Sequence, residues 1–462
     1  MFRSLATRAM LLLAAALYGG CASPPAATPE AASPVTLYEG ARLIRGDGSA
    51  AIESSAFTVQ SGVITRVGRQ GEVSAPPHAT RIDLTQKTVM PTLISAHVHP
   101  GFQKGLSYGA GNYTREIIRN DLNLALYYGV SVVMSQGIER GDLAFELRDE
   151  QAAGKIGGAR LMLAGRGIGA PNAGPGAMAY KGIAYEVSTE DEIRRAVREQ
   201  AARKVNAIKL WVDDRGGRAP SLSPALSRAA ADEAHKLKLR ISAHVFYHKD
   251  AVALAVAGVD SFAHLVRDQV MDDALVASVV KNGVYVMPNM GGGERNTHTT
   301  TPGWYSDPHL SALLRDTASP EVIERMKGLF SPRDPKVMEL VRRNYRSVHG
   351  SLSKLNAAGA RIILGCDTGL PDHLHGYAEQ RELELMASAG MTPMQVIVAA
   401  TSRGAEYLQL ADSGALVAGK RADFMVLDAN PLDDIRNTRR IAQVFIQGQE
   451  IDRAALRASL IK

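Results

Sequence analysis

Through the middle of the chain, short apolar runs alternate with longer amphipathic stretches, and that alternation leaves few folds open. Strand candidates fall at residues 89–96, 129–134, 160–164, 207–211, 240–244, 261–264, 284–288 and 361–365. Helical candidates lie between them, among them 190–203, 224–237 and 250–257. Apolar runs flanked by helices read as parallel strands covered on both faces. Eight such βα units point to an α/β fold, a (β/α)8 TIM-like barrel. A doubly wound open sheet is the alternative, but no glycine-rich phosphate turn follows the first strand to support it.

The two ends of the chain have a different texture. Residues 35–44, 56–60 and 63–68 are short and β-rich, with Ser61-Gly62 as a hairpin signal, and 423–428 and 441–446 are β-like around Asn430-Pro431. Neither group closes a core alone, so both ends are expected to build one small β-sandwich domain. The resulting division is a small-domain segment at 35–88, a barrel at 89–410 and a second small-domain segment at 411–462. The longest irregular stretch, 289–308, carries three consecutive glycines after the seventh strand and is expected to form a lid.

Composition supports a large core. With 45% hydrophobic and 22% charged residues, disordered, collagen-like and coiled-coil classes are excluded. The net charge of +6 comes without any basic run interleaved with aromatics. Arg194, Arg195, Arg198, Arg203 and Lys204 have helical spacing beside acids, a solvated helix face, and no nucleic-acid partner is expected.

The first residues read as an export signal. Arg3 and Arg8 precede the apolar run from Met10 to Leu17 and then Gly19-Gly20-Cys21, too short to span a bilayer. Small residues before Cys21 resemble a bacterial lipoprotein signal, which implies a lipidated Cys21 and a periplasmic or membrane-anchored protein. Tyr18 departs from the usual aliphatic residue, so ordinary signal cleavage after residues 1–20 is the alternative. Residues 21–34, rich in Ala, Ser and Pro, read as a flexible tether. Cys21 and Cys366 are the only cysteines, so lipidation would leave no disulfide pair.

In a barrel, reactive groups come from the C-terminal ends of different strands. The first strand ends in His97-Val98-His99, and alternation puts both imidazoles on one face, about 7 Å apart at the backbone, within reach of one metal. His244 and His264 end strands five and six, and Asp367 follows strand eight. Each alone is ordinary. Their coincidence in a chain with only 12 histidines points to a metal site.

Lys209 stands inside the apolar strand Ala207-Ile208-Lys209-Leu210-Trp211. An ammonium there is costly unless paired. It either reaches across to Asp213 or Asp214, or loses its charge to desolvation and takes up CO2, becoming a carbamate that two metals can share.

The segment from Val89 to Pro100, with Lys209, His244, His264 and Gly365-Cys366-Asp367-Thr368, resembles the metal-dependent amidohydrolase superfamily, in particular its exported imidazolonepropionase-related and prolidase-like branch. Gly414-Ala415-Leu416 and the run from Gly419 to Phe424 resemble the superfamily's C-terminal strand. The likeness covers about residues 35–450. It implies two divalent ions, most often zinc: His97, His99 and Asp367 on the buried ion, His244 and His264 on the exposed one, and carboxylated Lys209 between them. A bridging hydroxide would attack the carbonyl while Asp367 moves its proton to the leaving nitrogen. Ser95 departs from the pattern, since Asp is usual there, which bears on the tuning of the site.

The resemblance implies hydrolysis of a C–N bond in a small amide, an N-acyl amino acid or dipeptide. Cyclic amide or lactone opening on the same site is the nearest rival. A mononuclear deaminase lacks its acid here, since Val-Phe-Tyr follows His244, and a noncatalytic binding lipoprotein would leave the ligand set without a purpose. Arg166, Tyr247, His248, His373 and His375 lie in loops at the same mouth and are the substrate-binding candidates, with Tyr113 and Tyr180 behind them. His298, His309 and His349 read as structural or surface residues. Superfamily members are often homo-oligomers, though no interface signature is visible.

Overall fold

A computed structural model describes residues 34–461 except Ala177, with the backbone alone at Met178. The signal, Cys21 and nearly all of the tether lie outside the described residues.

All eight expected barrel strands form, and neighbouring strands run parallel. Leu93–Val98 pairs with Val130–Ser135, which pairs with Arg160–Leu163. Ala207–Val212, Arg240–Val245, Ser261–Ala263, Tyr285–Met287 and Arg361–Ile362 continue in that order. The third and fourth are joined by Asn206 N–H donating to Leu163 O at 2.7 Å. The eighth returns to the first through Ala96 N–H on Leu364 O, 2.8 Å, and Asp367 N–H on His97 O, 3.0 Å. Hydrogen bonds therefore run around the ring.

Helices between the strands start where their caps dictate. Thr189 and Glu192 form a capping box at Glu190–Ala202, and Ser223 accepts from Leu226 N at Pro224–Lys236, where Pro224 occupies the first turn without needing a donor.

The expected strand at 89–96 divides at Thr92. Thr88–Pro91 pairs antiparallel with Phe424–Leu427 in a small five-stranded sheet, and Leu93–Val98 enters the ring. Thr92 N–H turns to Asp423 O, 3.2 Å, so one apolar run feeds two sheets. A four-stranded sheet holds Val35–Glu39, Ser55–Gln60, Val63–Arg69 and Thr80–Asp83. Its hairpin turns at Ser61 and Gly62, with φ of 50° and 78°, the left-handed pair that a two-residue turn of this kind demands. Tyr38 stacks on Phe57 at 4.9 Å and meets Phe424 edge-on at 5.2 Å, so the two small sheets share one aromatic core.

The segment at 289–308 is more ordered than expected. Its glycines lie in the short helix Met290–Arg295, and the buried carboxylate of Glu382 accepts from Met290 N and Gly291 N at 2.7 and 2.8 Å. That carboxylate satisfies the helix's free donors and pins the segment to Tyr377–Ser388.

Candidate metal centre

Four strand ends bring His97, His99, His244 and His264 together with Asp367 and Lys209. His97 Nε2 and His99 Nε2 are 3.2 Å apart, and Asp367 Oδ1 lies 3.5 and 2.9 Å from them. These three residues offer ligand atoms all within 4.8 Å of one another. Asp367 Oδ2 is 3.9 Å from His264 Nδ1, and the His264 ring centroid is 4.8 Å from those of both His97 and His244. The backbone turns sharply where these groups are presented: His264, Asn289 and Asp367 have φ of 81°, 50° and 59°. Left-handed backbone at a residue with a side chain costs about 1–3 kcal/mol, and such strain gathers at functional sites.

Neighbours orient the imidazoles. His244 Nε2 is 3.0 Å from Asp213 Oδ2, which also accepts from Arg215 Nη1 at 2.8 Å, leaving the buried Nδ1 of His244 without a hydrogen-bond partner among the described residues. With the Asn289 amide nitrogen donating to Met287 O at 2.9 Å, its oxygen accepts from His97 Nδ1 at 3.2 Å and Asp367 N at 2.9 Å. His97 is thereby left with Nε2 toward His99 and Asp367. Burial holds His97 and His264 well below the ordinary imidazole range and brings His244 to about 4, so their ring nitrogens keep lone pairs at neutral pH. Burial would raise the Asp367 carboxyl, but His264, His97 and His99 hold it well below its usual range, as a carboxylate.

Lys209 is fully buried, and among the described residues its Nζ has no hydrogen-bond partner. The ordinary pairing with Asp213 or Asp214 does not occur: Asp213 serves His244 and Arg215, and Asp214 Oδ1 accepts from Tyr247 Oη at 2.9 Å. The ammonium instead faces the Trp211 ring at 4.8 Å. Desolvation pulls its pKa to about 7. Unpartnered buried nitrogens on Lys209, His244 and His264, beside a His-His-Asp group, form a donor set of N and O atoms that suits divalent transition ions.

Asp367 borders a cavity of about 320 Å³, with Asn289, Arg267, Arg295, Phe246 and Tyr345 among its walls. None of the five loop residues expected to meet substrate is among those lining this cavity. Arg166 stacks on Tyr185 at 4.0 Å and donates to Ile183 O and Ala184 O at 2.6 and 3.2 Å. Tyr247 is held by Asp214, and the His248 ring faces Asp272 at 3.4 Å. His373 Nε2 is bonded to Cys366 O at 2.9 Å. His375 is buried 3.6 Å from Asp121 Oδ2, beside a void of about 30 Å³. Tyr180 donates to Gly369 O at 3.2 Å, and its ring lies 5.5 Å from that of His99. Tyr113 packs on Phe102 at 5.0 Å.

Arg267, Asn289 and Arg295 escaped the sequence reading. Arg267 is three residues past His264 and Asn289 directly follows the seventh strand, the positions where a scan of strand ends would find them. Ser95 is tied to a distant carboxylate. Glu379 Oε1 accepts from Ser95 Oγ and Thr368 Oγ1, both at 3.0 Å, and its Oε2 accepts from Gly376 N at 2.7 Å. A helix 284 residues away thus supplies a carboxylate beside the first strand.

The model of the amidohydrolase family matches residues 88–451, and the chain belongs to that family. Ochratoxinase of Aspergillus niger is 23% identical over 437 residues, 87% of this chain and 83% of that enzyme. Its crystal structure superposes with a TM-score of 0.72 at 20% identity, covering 91% of this chain and 96% of the other. A Xaa-Pro dipeptidase with bound methionine in its active site gives 0.71 at 22% identity, covering 90% and 99%. An uncharacterized protein of Mycobacterium tuberculosis is 31% identical over 135 residues, 28% of this chain; the match spans about a third, 34%, of that protein's length. Family and folds place the ring of strands among TIM-like barrels with α/β content.

Proposed function

We propose that the protein is a binuclear metal-dependent hydrolase of amide C–N bonds in small molecules such as N-acyl amino acids or dipeptides. The observation that carries this reading is Lys209, buried without a hydrogen-bond partner among the described residues, beside His97, His99, His244, His264 and Asp367. Family membership and the names of the ochratoxinase and dipeptidase relatives support it.

His97, His99 and Asp367 would hold one ion and His244 and His264 the other. Lys209, in its neutral form, would add its nitrogen to CO2 and lose a proton, and the resulting carbamate would offer oxygen ligands to the ions. When bound, divalent ions, zinc in the resemblance, supply acidity to water and polarise the scissile carbonyl. Asp367, ionised by its histidine neighbours, takes the proton of the attacking water at Oδ1 or Oδ2 and delivers it to the departing nitrogen. Asp213 keeps His244 in one tautomer, and Asn289 does the same for His97.

We also read residues 35–88 and 411–462 as a β-sandwich domain on a barrel of 89–410, and the leader as an export signal with lipidation at Cys21. That second reading rests on Arg3, Arg8 and the run up to Cys21. Labelled palmitate incorporated by wild type and lost in Cys21→Ser would support it.

Elemental analysis of protein purified without chelators tests the main reading, together with turnover of an N-acyl amino acid and dipeptide panel. About two ions per chain, falling in Lys209→Ala, with turnover in wild type, is the expected result. One ion or none in a folded wild type sinks the binuclear mechanism.

A further inference from the structure

Arg267 stands at the cavity that Asp367 borders, half-buried, with its Cζ 5.6 Å from the centroid of the Phe246 ring. Among the described residues no carbonyl or carboxylate accepts from its guanidinium, whereas Arg166 and Arg215 nearby are bonded to backbone carbonyls. Burial weakens its hold on its proton, and the pull of Asp367 and Asp213 opposes this, so both acids lie within electrostatic reach. Arg295 borders the same cavity with one donor used, by Pro371 O at 2.9 Å. A half-buried fork of donors without an acceptor lacks a partner, and a carboxylate matches its geometry.

We infer that Arg267 binds the free carboxylate of the substrate, so that the enzyme selects acidic amides over their neutral counterparts. This rests on reading the centre as a C–N hydrolase. The carboxylate would lie against Arg267, with Arg295 adding positive potential, and the scissile carbonyl would lie toward Asp367. Phe246, Val341, Val348 and Leu370 supply apolar parts of the wall, and Asn296 and Asn344 polar ones. Its volume suits a small molecule.

Benzoate release from a panel of N-benzoyl amino acids and from their methyl esters tests this, with metal-loaded wild type, Arg267→Met and Arg267→Lys. Wild type should favour the acids. Arg267→Met should lose about 10- to 100-fold in kcat/KM on acids, mostly through KM, with the esters unchanged. Arg267→Lys should recover part of it. Equal rates on acid and ester in wild type, or an unchanged preference in Arg267→Met, would overturn the inference.

A second readout does not need turnover. Calorimetry with 3-phenylpropanoate and 3-phenyl-1-propanol should show the acid bound by wild type and lost in Arg267→Met at unchanged metal content. Acid binding that survives Arg267→Met, or no preference for the acid in wild type, overturns the inference. If no amide is cleaved while acid binding still depends on Arg267, the hydrolase reading falls and the carboxylate site stands.

Discussion

A Cβ placed on Gly137 would lie 2.7 Å from Cγ and 2.9 Å from Cβ of Lys209, so the glycine after the second barrel strand makes the room in which the buried lysine stands. Gly137 also has φ of 86°, which a side chain rarely adopts. Gly137→Ala should therefore cost about 1–3 kcal/mol and push the lysine stem aside. Thermal melts should show the loss of stability, and metal content should fall with it; a variant with wild-type metal content would mean that the lysine does not need this space.

Lys209 has a pH signature of its own. Between about 7 and its ordinary 10.5 the unfolded chain binds a proton that the folded amine does not. This lysine thus makes the stability of metal-free protein rise with pH across that window. Lys209→Met removes an unpartnered buried amine, so it should flatten that slope and leave the metal-free protein at least as stable as wild type at pH 7, while lowering metal uptake. Denaturant titrations at several pH values, paired with elemental analysis, separate the two effects. Uptake by metal-free wild type should also quicken with added bicarbonate, and more at pH 8 than at pH 6, where less of the amine is neutral.

Asp213 joins His244 to Arg215. Removing its charge with Asp213→Asn weakens the hold on the His244 tautomer, and metal affinity should drop by about 10- to 100-fold. Competition with a chelator of known affinity measures this directly, and an unchanged affinity would show that His244 is oriented by packing alone.

Ser95 and Glu379 form a buried pair in which the carboxyl should matter more than the hydroxyl, because it serves three donors. Ser95→Ala removes one donor and should cost about 1 kcal/mol, whereas Glu379→Ala strands Ser95 Oγ, Thr368 Oγ1 and Gly376 N and should cost several times that, about 3 kcal/mol. A double-mutant cycle should show coupling, because Ser95→Ala adds little once Glu379 is gone. Additive losses would dissolve the pair.

Glu139, only 1% exposed, is pushed by desolvation from 4.5 to about 8. Its folded form keeps a proton that the unfolded chain has released, so this group's contribution to stability is full below about 4.5 and falls as pH rises to about 8. Glu139→Gln should flatten the decline over that range in pH-dependent unfolding, with the fold retained.

Much of the molecule was written in local pattern. Alternating apolar runs announced the parallel strands, because burial on both faces demands them. His97-x-His99, Lys209, His244, His264 and Asp367 were legible because a barrel presents strand ends at one face, wherever they lie in the chain. The helices expected from residues 190 and 224 begin at those residues, where Thr189 and Ser223 cap them.

Tertiary structure decided what depends on distant partners. The division at Thr92 exists because Phe424–Leu427 arrives beside Thr88–Pro91, and no periodicity within one apolar run encodes which sheet it joins. Glu379 reaches Ser95 only after the chain has closed its ring. Arg166 and Arg267 are the same residue type near strand ends, yet one is bonded to the carbonyls of Ile183 and Ala184 and the other opens onto the cavity beside Asp367. Sequence by itself determined which chemical groups this protein carries to one end of its strands; folding decided which of them are already satisfied, because a side chain's free hydrogen-bonding capacity is a property of its surroundings.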